Sequence, residues 1–169
     1  EVLALIGQGG MGVVYRARQR KFYRLVAIKV LPPAMLVESG IPERFSPEQR
    51  AVYEVVLEAQ EAAFARIKPG NHWNDPHDAA VRAITQGLVR LGLLKGRLPA
   101  LIKEGAYRKF FMHRTGHWLG MDVHDVGDYK LDDTWRLLEP GMVLTVEPGL
   151  YIAEAKDIPE GFRNIGIRI

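Results

Sequence analysis

The sequence predicts an α+β fold with an N-terminal three-stranded β-meander. Three observations carry that expectation. Residues 2–31 hold three short apolar or partly alternating runs parted by glycines and basic residues. Two long segments beginning near Ser46 and Asp75 carry apolar residues at helical spacing behind helix-start chemistry. After Gly105 the helical period is lost, and turn-bracketed strand-like runs return at 142–147 and 165–169. Strands, then helices, then strands is the order of an α+β chain.

Residues 2–6 (VLALI) are apolar and end at Gly7, residues 13–18 (VVYRAR) alternate in part, and residues 25–31 (LVAIKVL) form a third β candidate. Pro32-Pro33 stops that third strand. Three prolines and a glycine between 32 and 45 mark a boundary, giving a meander over 1–34, a connector over 35–44 and a second domain over 45–169.

Ser46 as N-cap, Pro47 at the first helical position and Gln49 completing a capping box predict a helix start. Its stripe is Val52, Val55, Val56, Ala59, Ala63, Phe64 and Ile67, and Pro69-Gly70 ends it. A second helix is predicted from Asp75 as cap through Pro76 to about Gly92, on Ala80, Ile84, Leu88 and Leu91. A short third helix is predicted over 98–104. Pro140-Gly141 and Pro148-Gly149 bracket a strand over 142–147, and residues 165–169 (IGIRI) alternate as a last strand.

Composition excludes several classes. Apolar residues are 47% and charged residues 25%, as in a globular chain able to build its own core. Cysteine is absent, which rules out disulfides and thiolate chemistry and fits a reducing, cytoplasmic setting. No run approaches the roughly 18 apolar residues of a membrane helix, and no signal-peptide pattern opens the chain, so no membrane partner is expected. The first residue is Glu1 and the last, Ile169, lies in an apolar stretch, so the sequence reads as cut at both ends. Net charge is +3, and the basic excess lies in residues 1–44, densest at Arg16, Arg18, Arg20 and Lys21. Solvated hairpin edges carry such charge, and no nucleic-acid partner is expected.

Two groups of residues carry chemistry. Gly7-x-Gly9-x-x-Gly12-x-Val14 lies between two strand candidates and is followed by Val26-Ala27-Ile28-Lys29. Glycines let backbone N–H groups approach a phosphate closely. Residues 1–34 thereby resemble the start of a bacterial Ser/Thr protein kinase, and the resemblance implies ATP contacts for Gly7, Gly9, Gly12 and Lys29. The remaining kinase parts do not follow. His113-Arg114-Thr115 has Thr where the catalytic base belongs, and Asp125-Val126-Gly127 comes too soon after it to be the metal-binding motif. ATP is therefore not expected as a cofactor.

The second group is His113, His117 and His124, within twelve positions, followed by Glu147. Imidazole and carboxylate together suit manganese, zinc, iron or cobalt, with Asp122 and Asp125 as candidates to orient the imidazoles. FSPEQRAVYEVVLEAQ, FFMHRTGHWLGMDVHDVGDY, LEPGMVLTVEPGLYI and IGIRI resemble the Xaa-Pro aminopeptidases, the aminopeptidase P group of the pita-bread metallopeptidases, over about Phe45 to Ile169. The resemblance implies a partial pita-bread fold, helices on a curved and mainly antiparallel sheet. It implies two divalent ions, commonly manganese, and peptides with proline in the second position as substrates. It makes His117 and Glu147 metal ligands, His113 and His124 the histidines beside the substrate, and Arg168 the arginine next to the metal carboxylates. His72 and His77 are expected to be surface or capping residues.

The family uses two Asp, one His and two Glu. The first Asp in the chain is Asp75, after the place of both Asp ligands, and the last Glu would follow GIRI. Two of five ligands are matched, and activity of this chain is expected to be lost. The change of resemblance between 34 and 45 predicts a chimera of two incomplete domains. Exposed sheet edges leave self-association into a homo-oligomer open.

Overall fold

A computed structural model of the chain describes the backbones of residues 2–9, 12–19 and 24–30, and residues 45–169 throughout. The chain divides into two compact units, 1–45 and 46–169. In the first unit, β1 (Val2–Gly9), β2 (Gly12–Gln19) and β3 (Arg24–Val30) form an antiparallel sheet in the order β1-β2-β3, which is the expected meander. Gly9 pairs with Gly12 and Gly7 with Val14, while Lys29 pairs with Val14 from the other side. The side chain of Lys29 and the connector 35–44 lie outside the described residues.

The second unit begins with α1 (Pro47–Phe64). Its start is the predicted capping box: the Gln49 N–H donates to Ser46 Oγ at 3.1 Å, and the Ser46 N–H donates to Gln49 Oε1 at 3.0 Å. Val52, Val55, Val56, Ala59 and Ala63 are buried as the stripe requires. Two members of the predicted stripe depart from it. Phe64 is exposed at the last turn, and Ile67 lies beyond the helix, packed on a different cluster.

α2 (Asp75–Arg90) follows, with Asn74 in the cap position that was expected for Asp75. The Asp75 carboxylate instead accepts the backbone N–H of His72 at 2.9 Å, closing the turn before the helix. α1 and α2 pack closely because Gly87 has no side chain. A Cβ there would lie 2.3 Å from a Val55 methyl carbon. α3 (Leu98–Glu104) is short, as predicted, and a single 3-10 turn over Ala106–Lys109 leads out of it.

β4 (Lys130–Leu131) and β5 (Thr134–Trp135) form a hairpin that the sequence reading missed. Its two turn residues, Asp132 and Asp133, have φ of 46° and 63°. Aspartate tolerates that left-handed conformation better than most residues do, and the two-residue loop needs it twice. β6 (Gly149–Ile152) pairs antiparallel with β7 (Ile165–Arg168). The α+β expectation holds, with helices covering small antiparallel sheets: Leu150, Ile152 and Ile165 join the buried faces of α1 and α2 together with Phe110 and Phe111.

The predicted strand over 142–147 is not one. The regular strand lies just after it, at β6, and within 142–147 only Leu144 makes a bridge, to Trp118. That segment is nevertheless extended and builds the site.

Candidate metal-binding cleft

Residues 115–119 run antiparallel to residues 143–147. The Leu119 N–H donates to the Val143 carbonyl at 3.1 Å, that of Thr145 to His117 at 2.9 Å, and that of Glu147 to Thr115 at 2.7 Å. The fourth bond is not a ladder bond: the His117 N–H donates to Thr145 Oγ1 at 3.0 Å. Thr145 then gives its hydroxyl proton to Glu147 Oε1 at 2.9 Å. One threonine thus orients both predicted ligands. Trp118 and Leu144 bind the pair of segments to a second cluster around Trp73 and Leu138.

His117 Nδ1 lies 2.8 Å from the Trp118 carbonyl oxygen. A carbonyl can only accept, so Nδ1 carries a proton, and Nε2 is the nitrogen left to face the cleft. That Nε2 faces Glu147 Oε1 at 2.9 Å, with both side chains largely buried. Two acceptors at hydrogen-bond distance repel unless a proton or a cation lies between them. Glu147 Oε2 is ion-paired with Arg168. The His124 ring stacks on His117, with centroids 4.0 Å apart and planes at 20°.

His113 repeats the pattern a short way along. Its Nδ1 is 2.7 Å from the Arg114 carbonyl, and its Nε2 is 3.1 Å from the Tyr151 hydroxyl. Nε2 therefore accepts from the phenol. Burial raises Tyr151 above its ordinary value, so the phenol stays protonated and remains a donor. All five residues singled out from the sequence, His113, His117, His124, Glu147 and Arg168, line one open cleft of about 450 Å³, together with Trp73, Arg114, Tyr129 and Trp135. Gly7, Gly9, Gly12 and Lys29 belong to the other unit.

Two expectations are corrected here. Asp125 does not orient an imidazole. Its carboxylate accepts the N–H groups of Met121 and Val126, at 3.0 and 2.9 Å, and shapes its own loop. Asp122 is exposed. The Trp118 and Arg114 carbonyls fix the imidazoles instead. His72 is at the surface and His77 lies in the first turn of α2, within the expected capping region, but His77 faces inward: its Nδ1 is 2.9 Å from Thr115 Oγ1, and Thr115 is only 3% exposed. Thr145, Tyr151 and His77 were missed. Tyr151, four residues past Glu147 on a strand, had the nearest thing to a signal.

Burial, and then the positive charge of Arg114 with weaker electrostatic contributions from His113 and Arg108, push His77 down to about 4. The unfolded chain binds this proton near 6.5. Stability from a neutral His77 is thus fully present above pH 6.5 and is lost as pH falls toward 4, by up to about 3 kcal/mol. In urea titrations across that range, His77→Gln, which has no such proton, is expected to show a flatter pH dependence than the parent chain. Parallel curves would contradict the assignment.

Among the described residues no group of three or more His, Asp or Glu is placed to hold a metal ion. The donor set still fits a cation. An imidazole nitrogen and a carboxylate oxygen converge at 2.9 Å, each side chain oriented from behind by a hydrogen bond. The helices on small antiparallel sheets thus carry a His–Glu pair in an open cleft. Residues 36–169 match the family model "Metallopeptidase family M24", and the chain belongs to that family.

The chain is 54% identical over 126 residues to the Xaa-Pro aminopeptidase of Haemophilus influenzae, covering 75% of this chain and 29% of that protein. It is 52% identical over 126 residues to the enzyme of the same name from Escherichia coli, covering 75% and 28%. Among solved structures, Pseudomonas aeruginosa aminopeptidase PepP matches with a TM-score of 0.74 and 50% identity, over 94% of this chain and 31% of that one. Zinc-substituted E. coli aminopeptidase P in complex with product matches with a TM-score of 0.71 and 43% identity, over 94% and 31%. The fold is accordingly a partial pita-bread fold. The chain spans less than a third of the length of these relatives.

Proposed function

We propose that residues 45–169 carry part of a dinuclear-metal aminopeptidase site acting on peptides with proline in the second position. His117 and Glu147 are its metal ligands. The observation that carries this reading is the approach of His117 Nε2 to Glu147 Oε1 at 2.9 Å in the open cleft, a nitrogen and an oxygen close enough to share one cation in place of a proton. Manganese is the metal proposed, and bound there it would supply Lewis acidity and an activated water. Arg168 and Thr145 hold the Glu147 carboxylate in place. His113 and Tyr151 hold a proton between Nε2 and the phenol oxygen at the cleft wall, where a peptide carbonyl can take a hydrogen bond. His124, stacked on His117, limits water on that side. Trp73, Tyr129 and Trp135 give apolar faces suited to a prolyl ring. The names of the relatives support the substrate class. Among the described residues no third imidazole or carboxylate joins the pair, so these two residues alone would hold one ion weakly.

Manganese is paramagnetic and broadens NMR signals near it. Added stepwise to the chain, it is expected to broaden the imidazole signals of His117 first, then His124 and His113, and to spare His72 until excess. Broadening that starts at His72, or that is even across all five histidines, would overturn the reading.

A further inference from the structure

The cleft contains a cation that the metal chemistry does not use. Arg114 lies between His113 and buried Thr115, and its guanidinium carbon sits 4.9 Å from the centre of the Trp135 ring. One of its N–H groups donates to Asn74 Oδ1. The guanidinium has five donors, and among the described residues no carboxylate stands within ion-pair distance of it. Asp78 acts on it only as a more distant charge. The acid already in the cleft, Glu147, is taken by Arg168 and His117. Lys130 adds a second positive charge 4.8 Å from the Trp135 ring. Stacking and the Asn74 bond hold the fork in one orientation, and such a preorganised fork matches a carboxylate with two parallel bonds.

We propose that Arg114, laid against Trp135, is a specificity-determining residue that takes a carboxylate of the bound peptide, namely the free C-terminal carboxylate of a short substrate. The inference rests on the peptide-binding reading above. It makes short peptides with a free C-terminus the favoured class over blocked or internal sequences.

The test titrates the full chain, with manganese present, against Ala-Pro-Ala, its C-terminal amide, and the C-terminal amide of Ala-Pro-Glu. The readout is the NMR signals of the Arg114 Nε–H and the Trp135 indole N–H. The free acid is expected to bind on the order of tenfold more tightly than the Ala-Pro-Ala amide, the size of one charge-assisted hydrogen bond. In Arg114→Gln the acid-to-amide ratio is expected to fall to about one, and Arg114→Lys is expected to restore it in part. Equal binding of acid and amide by the parent chain overturns the Arg114 subsite and leaves the peptide reading standing. A preference only for the glutamate-bearing amide overturns the C-terminal assignment in favour of an acidic side chain. No binding of any of the three overturns the peptide reading, and the subsite with it.

Discussion

Gly116→Ala is expected to cost the second unit of the order of 3 kcal/mol and to separate the two metal ligands. A Cβ at position 116 would lie 2.0 Å from the backbone carbonyl oxygen of Thr145 and 2.9 Å from its carbonyl carbon. A flexible side chain could move aside, but here the obstacle is main chain. That main chain is bonded to His117 through the Thr145 N–H at 2.9 Å, and the Thr145 hydroxyl bridges His117 and Glu147. Overpacking costs about 1–3 kcal/mol where side chains can adjust, and occasionally more. Relief here requires residues 115–119 and 143–147 to part. Urea denaturation measures the stability, and manganese titration of the still-folded variant measures the site. The account expects both to fall. A variant with unchanged stability and metal affinity would show that the two segments approach less closely than described.

Phe111→Ala is expected to destabilise the second unit by about 3–5 kcal/mol, the usual range for truncating a buried phenylalanine. Phe111 is 1% exposed and belongs to the core shared by α1, α2, β6 and β7. It also supports the site from beneath, since its ring lies 5.0 Å from His113 edge-on and 5.7 Å from His77. The same substitution is therefore expected to weaken the His113–Tyr151 contact, which NMR of the His113 imidazole would report. A loss below about 1 kcal/mol would mean that the cavity refills and that the site does not depend on this ring.

What could be read from the sequence was what local chemistry dictates. The Ser46–Gln49 box, the prolines at the helix starts and the apolar stripes of α1 and α2 are each decided within a few residues, and the structure follows them except at Phe64 and Ile67. The segment 142–147 shows where local pattern fails. Its apolar run and flanking Pro-Gly pairs resemble a strand, but its partner donates one backbone N–H to a threonine hydroxyl instead of a carbonyl, so a regular ladder never forms. The regular strand begins after Pro148, where Gly149 finds Arg168. His117 and Glu147 stood out because histidines clustered and motifs matched. Their orientation by Thr145 and by the Trp118 carbonyl is a property of the paired segments, and no single segment shows it. His77 is the clearest case. It opens α2 as a polar residue in a polar stretch, and only folding brings it to Thr115, 38 residues away. The same holds for Arg114, whose neighbours Asn74 and Trp135 come from either side of it in the chain.

The central claim is that His117 and Glu147 form a cation-binding pair. Calorimetric titration of the metal-stripped chain with manganese at neutral pH, beside His117→Ala, tests it most directly. The account predicts no more than one ion, bound weakly, with affinity falling at least about tenfold in the variant. Affinity unchanged by the substitution would contradict the pair, and tight binding of two ions would contradict a site made by these two residues alone.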